Sequence, residues 1–154
     1  DPLQGAHDAT RRAVHSDAAQ MLAAKPEVTV SGKGETVIPA SKDSHYWVEA
    51  TAGGQTFDFL IDTGADSVVL TVEAAEHAGI HVDPTTFEPM MQTASGTGKG
   101  APITIDQIEL AGHEFHDVNA VVLDGLAVNL LGQSMLRRFP KVEMKGDSMV
   151  IGKE

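Results

Sequence analysis

The chain has 154 residues and a formal net charge of −11, one domain's worth of sequence whose surface repels phosphate backbones, which excludes nucleic acid as a partner. It contains no cysteine, so disulfides, thiol nucleophiles and cysteine-ligated zinc are excluded, while the redox compartment stays open. Apolar residues make up 42% and aromatics 5%, enough for a core, and one expected to be built from Val, Ile, Leu, Met and Ala.

Residues 1–44 differ in character from the rest. Between Asp8 and Lys25, Val14, Ala18, Met21 and Leu22 recur at helical spacing; with Asp8 as N-cap and Pro26 as stop, this predicts an amphipathic helix. Glycine- and serine-bearing stretches at 31–34 and 39–44 punctuate a short strand at 35–38. Residues 1–44 therefore read as an N-terminal helical arm and linker, and 45–154 as the folded domain. The chain opens on Asp1 rather than methionine, which implies a removed piece with room for a targeting or anchoring segment. No apolar run reaches the roughly 20 residues that span a bilayer.

From His45 onward short β-segments alternate with glycine turns. Residues 46–51 and 55–61 flank Ala52-Gly53-Gly54, a hairpin signal. A β-branched run at 67–70 precedes a short helix at 72–78, capped by Thr71 and ended by Gly79. Strands at 87–93 and 101–110 enclose a glycine-studded tip, and Ala111-Gly112-His113 turns the chain into 114–123. A second short helix is expected at 133–139, stopped by Pro140. Segments 141–144 and 149–151 form a last hairpin. Many short strands with two small helices predict a mostly β, closed, barrel-like domain.

The informative stretch is Phe57-Asp58-Phe59-Leu60-Ile61-Asp62-Thr63-Gly64-Ala65-Asp66-Ser67-Val68-Val69-Leu70. An apolar strand runs into Asp-Thr-Gly-Ala and a second apolar strand leaves it. An ionisable residue at the end of such a strand is costly unless it is hydrogen-bonded or chemically employed. Gly64 can expose a backbone N–H to the carboxylate, and Thr63 offers a hydroxyl to lock the loop. The plainer reading is an Asx-turn between two strands, since Asp-Thr-Gly arises by chance in roughly one chain in thirty of this length. The apolar flanks on both sides favour the functional reading.

Residues 60–70 resemble the active-site loop of retropepsins, the retroviral-type aspartic proteases. Two further family elements follow in order: the glycine-rich stretch Thr93-Ala94-Ser95-Gly96-Thr97-Gly98-Lys99-Gly100, similar to a flap hairpin, and Leu130-Leu131-Gly132, ahead of the short helix. The resemblance covers about residues 45–152, and bacterial single-domain members look especially similar. It implies a retropepsin-like acid-protease barrel with a flap hairpin, an aspartic endopeptidase activity without cofactor or metal, and a peptide or protein substrate. It also implies Asp62 as the catalytic residue, loop support from Thr63, Gly64 and Ala65, and substrate contacts from Asp66, Gly96, Thr97 and Gly98. Thr63 would interlock with its mate beneath the paired aspartates. Bacterial members often carry an N-terminal membrane anchor, which implies a periplasmic or inner-membrane-anchored location.

Hydrolysis by this route needs two carboxylates sharing one proton, and the sequence holds one Asp-Thr-Gly. The second aspartate is therefore expected from Asp62 of another copy, in a homodimer. Two other readings compete. A catalytically silent domain would keep the fold and bind extended peptide, although a binder has no need of the costly acid. A zymogen would be held inactive by residues 1–44. Other signals fall away: the Gly96-x-Gly98-x-Gly100 run lacks phosphate-loop spacing, and His113-Glu114-Phe115-His116 is one residue short of a zinc-protease motif.

Overall fold

The computed structural model describes residues 26–93 and 96–152; the helix expected at 8–25 lies outside them. Eleven strands and two short helices follow one another in these residues. They are β1 (Thr29–Val30), β2 (Thr36–Pro39), β3 (Trp47–Ala52), β4 (Gln55–Ile61), β5 (Val68–Leu70), α1 (Val72–His77), β6 (Glu88–Thr93), β7 (Gly96–Leu110), β8 (His113–Leu123), β9 (Asn129–Leu131), α2 (Gln133–Leu136), β10 (Val142–Lys145) and β11 (Ser148–Ile151).

Seven strands form one sheet in the order β3-β4-β9-β5-β8-β7-β6, and β3 also pairs with β7, so six of them close into a ring. Closing a sheet on itself removes its open edges; this one is mixed, with β4–β9 and β5–β8 parallel. The expected mostly β, closed architecture is what the chain forms. Alternation along β3 points Ala50 and Ala52 inward and Glu49 and Thr51 outward, the pattern of a sheet with one wet face. β5 is buried throughout because it lies between β9 and β8. Its neighbour α1 begins where expected: the Thr71 hydroxyl accepts the Ala74 N–H at 3.0 Å, and Gly79 leaves the helix at φ +82°.

The core draws on more aromatic surface than composition suggests. Phe59 is 1% exposed and Trp47 2%, beside Ile38, Ile108, Leu110, Leu131 and Met135. The second sheet, β1-β2-β11-β10, is built from the two ends of the described chain. Thr36–Pro39 pairs along β11 from Ile151 to Ser148, and Ile38 joins the core. The strand expected at 35–38 is thus present one residue later, on the N-terminal side of the expected boundary at 44/45. The second helix is shorter than its expected 133–139 span, and Phe139 turns into the core instead.

Candidate active site

Asp62 follows directly on β4. β9 lies between β4 and β5, parallel to the first through Leu60 and Leu130, antiparallel to the second through Val69 and Leu130. The chain therefore leaves β4, rounds residues 62–67 and returns on the far side of β9. The loop straddles the end of the strand that leads into Gly132.

Backbone bonds hold this crossing. The Asp62 N–H donates to the Leu131 carbonyl at 3.0 Å, and the Ala65 N–H to the Asp62 carbonyl at 3.1 Å. The first N–H groups of any helix lack intrahelical partners, and Gly132, at the N-cap of α2, has no side chain to satisfy them. The loop does so: the Gln133 N–H donates to the Ala65 carbonyl at 2.9 Å and the Ser134 N–H to the Asp66 carbonyl at 2.7 Å. The Gln133 side-chain amide also donates to the Thr63 carbonyl at 2.9 Å.

Asp62 itself is half-buried. The Gly64 N–H donates to its Oδ1 at 2.9 Å, which orients the carboxylate while leaving Oδ2 unengaged among the described residues. The need for glycine at 64 is proximity, since its φ is not in the left-handed region but a Cβ there would stand 3.3 Å from Asp62 Oδ1. Gly132 is more constrained. A Cβ on it would lie 2.6 Å from the Ala65 carbonyl oxygen and 2.8 Å from the Ser67 nitrogen.

The other sequence-predicted residues divide by position. Thr63 and Asp66 are exposed on the same loop as Asp62, and Ala65 is half-buried beneath it. Within one chain the lock is the Thr63 carbonyl, held by Gln133. Gly96, Thr97 and Gly98 belong to a different element, the β6–β7 hairpin, where they pair with Thr93, Gln92 and Met91. β8 ends its pairing with β7 at Gly100, so this part of β7 is paired only with β6. The geometry is that of a projecting flap.

Two site residues escaped the sequence reading. Gln133 was visible only as the residue after Leu-Leu-Gly, and its bond to Thr63 spans 70 positions. Asn129 is 8% exposed; its Oδ1 accepts the Thr71 N–H at 3.0 Å and its Nδ2 donates to the Asp58 carbonyl at 3.2 Å. It ties β4 to the start of α1 across β9. A polar amide just ahead of the apolar pair Leu130-Leu131 was the available signal. The histidines do not converge: His113 stacks with Phe115 and meets Phe139 edge-on, whereas His116 pairs with Glu114 at 2.8 Å on the opposite face of β8.

Comparison with known proteins places this architecture. Residues 48–138 match the family described as "gag-polyprotein putative aspartyl protease". The crystal structure of a retropepsin-like aspartic protease from Rickettsia conorii superposes with a TM-score of 0.64 at 30% identity, covering 81% of this chain and 90% of that one. An uncharacterized protein of Rickettsia prowazekii is 32% identical over 119 residues, and an uncharacterized protein encoded in the cobV 5′ region of a Sinorhizobium species is 29% identical over 120. The chain spans about half the length of these curated relatives, 51% and 52%. It belongs to the retropepsin-like aspartyl protease family.

Proposed function

We propose that the protein is an aspartic endopeptidase whose active site is completed by a second copy of the chain. The observation that supports this most is the Asp62 loop. A carboxylate at the end of an apolar strand is oriented by one backbone N–H, its loop is tied to β9 and α2, and one carboxylate oxygen is left for chemistry. An Asx-turn alone would not require the glycine packed beneath it at 132.

The sequence has one Asp-Thr-Gly, so the partner's Asp62 supplies the second carboxylate. The ionised member of the pair takes a proton from water, and the protonated member donates to the peptide carbonyl oxygen. Water oxygen bonds to the carbonyl carbon to give a gem-diol. The proton taken from water then passes to the departing nitrogen as the C–N bond breaks, and a diol hydroxyl returns its proton to the aspartate that had donated one, which restores the pair. The exposed Thr63 hydroxyl stands ready to meet its mate across the two-fold axis. Asp66 and the flap residues Gly96, Thr97 and Gly98 contact an extended peptide that pairs through its main chain. A periplasmic or membrane-anchored location remains part of the same proposal; among the described residues no helix is long and apolar enough to cross a membrane.

The test mixes wild-type chains with excess Asp62→Asn chains under conditions of subunit exchange, with cleavage of a peptide library as readout. Mixed dimers hold one competent aspartate, so activity is titrated away. Activity that persists despite demonstrated exchange rules out the shared site. Cleavage should also decline as rising pH strips the shared proton from the pair, and resist chelators.

A further inference from the structure

Trp47 is buried on the outer face of its strand. Along β3, Val48, Ala50 and Ala52 are buried, while Glu49 and Thr51 on the other face are exposed. Trp47 belongs to that outer face by alternation, yet it is 2% exposed. It forms one wall of a groove of about 710 Å³, whose other walls include Val28, Val30 and the turn between β7 and β8. The exposed Glu27 and Glu49 stand at its rim.

Two features of this groove have no match among the described residues. The Trp47 indole N–H is buried without an acceptor, and a buried donor left unpaired costs free energy. Beside it Val30 is 70% exposed, one of two large hydrophobic residues so placed.

Pro26 also lines the groove, so the chain before it arrives at this spot. That chain is the amphipathic helix expected over residues 8–25, whose apolar stripe needs a surface to cover it. The largest members of the stripe, Met21 and Leu22, stand about 6–8 Å along a helix axis from Pro26. The last four carbonyls of a helix have no partner within it, and Pro26 has no N–H to offer them. Lys25 adds a positive charge at the same end.

We infer that residues 8–25 dock in this groove as a helix. Met21 and Leu22 pack against Val28, Val30 and Trp47, a carbonyl of the last turn accepts from the Trp47 indole N–H, and Lys25 faces Glu49. Each side supplies what the other lacks: an acceptor for the indole, a donor for the helix end, cover for both apolar surfaces and opposite charge at the rim. None of the residues lining the groove belongs to the Asp62 loop or the flap. The arm is thus a strap on the outside of the ring, whereas a zymogen segment would lie over Asp62. The inference is independent of whether the chain cuts peptides.

Trp47 is the single tryptophan, so one indole N–H signal in the proton–nitrogen NMR spectrum of the full chain reads the groove. In wild type its exchange with deuterium should be slow. Leu22→Asp and Met21→Asp set a charge against the apolar wall and should speed exchange about ten-fold or more. Lys25→Glu and Glu49→Lys should each speed it less, and the double variant should return toward wild type, since the two sites couple. Glu49 lies opposite Asp58 in the β3–β4 ladder, so Glu49→Lys sets opposite charges across the strands and keeps the sheet. Faster exchange in that variant therefore belongs to the arm. Equal exchange in wild type and all four single variants overturns the docking, and so does a double variant no slower than its parents. Protection that rises with protein concentration overturns it in favour of a second copy in the groove. Peptide cleavage that increases in Leu22→Asp with the indole signal unmoved overturns it in favour of an arm lying over Asp62.

Discussion

The Asp62 loop and the flap hairpin both rely on glycines at close quarters, but what crowds each glycine differs. Beside Gly132, under the Asp62 loop, stand backbone atoms of Ala65 and Ser67. Beside Gly98, in the flap, stands the Leu123 side chain, 2.9 Å from where a Cβ would be, and a side chain can rotate away. Two residues on, at the flap's base, Gly100 again faces backbone, with the Val122 carbonyl carbon 2.9 Å from a Cβ. The carboxylate is set in a frame that cannot give, and the flap is anchored at its base and adaptable beyond it. On the proposed function, this matches a pre-organised reacting group under a cover that can adjust to substrate.

Breaking the rigid half should have the larger effect. Gly132→Ala forces a methyl against two carbonyls, and overpacking of that kind costs about 1–3 kcal/mol. The expected result is a lower urea midpoint together with loss of peptide cleavage. Wild-type stability in this variant would show that the loop can move after all. Gln133→Ala is milder. It removes one hydrogen bond, worth about 0.5–1.5 kcal/mol, and leaves the packing intact. Turnover should fall several-fold with little change in KM or in the unfolding midpoint, the signature of a positioning residue. Equal losses in an irrelevant surface glutamine variant would remove the distinction.

In the adaptable half, Gly98→Ala should leave stability within about 1 kcal/mol, because Leu123 absorbs the methyl, and should act on KM for long peptides. Pairing it with Leu123→Val should restore the original KM, since the two sites are in contact and couple. The smallest effect concerns the turn just before the flap. Asp83 caps residues 84–86 by accepting from the Thr85 hydroxyl at 2.7 Å and its N–H at 3.0 Å. The hydroxyl first and the N–H second hold its carboxyl below the ordinary value of 3.8. A depressed carboxyl stabilises the fold above its unfolded pKa, and that contribution is lost as pH falls through the folded one. The difference in Tm between wild type and Asp83→Ala should therefore be constant near neutrality and shrink in acid below the usual carboxylate range. A difference independent of pH would assign the cap to shape alone.

The parts legible in the sequence are those written locally. Thr71 before an alternating Ala-rich stretch predicts the cap of α1, and glycine pairs predict the hairpins. The apolar flanks of Asp62 single out the one carboxylate the loop orients. What escaped reading depends on partners far along the chain. Nothing near Leu130 says that it lies between β4 and β5, so β9 was visible as a motif and not as a strand. Nothing near Thr36 announces β11 as its neighbour, and the short strand assigned to an N-terminal arm contributes Ile38 to the core. Gln133 carries no local sign that its amide closes on Thr63. Long-range pairing overrode local punctuation in each case.

The crossing of β4, β9 and β5 also dictates when the site comes into being. The bonds that tie the Asp62 loop to β9 and α2 are donated or accepted by residues 131–134, so the loop is fastened across a long stretch of intervening chain. Such contacts form late, because their loop entropy is spent before they return anything. While the polypeptide is being made, Asp62 emerges long before its supports do and has no fixed place to stand. If Asp62 is half of a shared catalytic site, as proposed, a growing or truncated chain carries no competent half-site. Amide exchange on a chain ending before Asn129 should find residues 62–66 unprotected, and protection should appear once residues 129–136 are present. On the proposed function, the timing of activity is set by topology, before any inhibitor is needed.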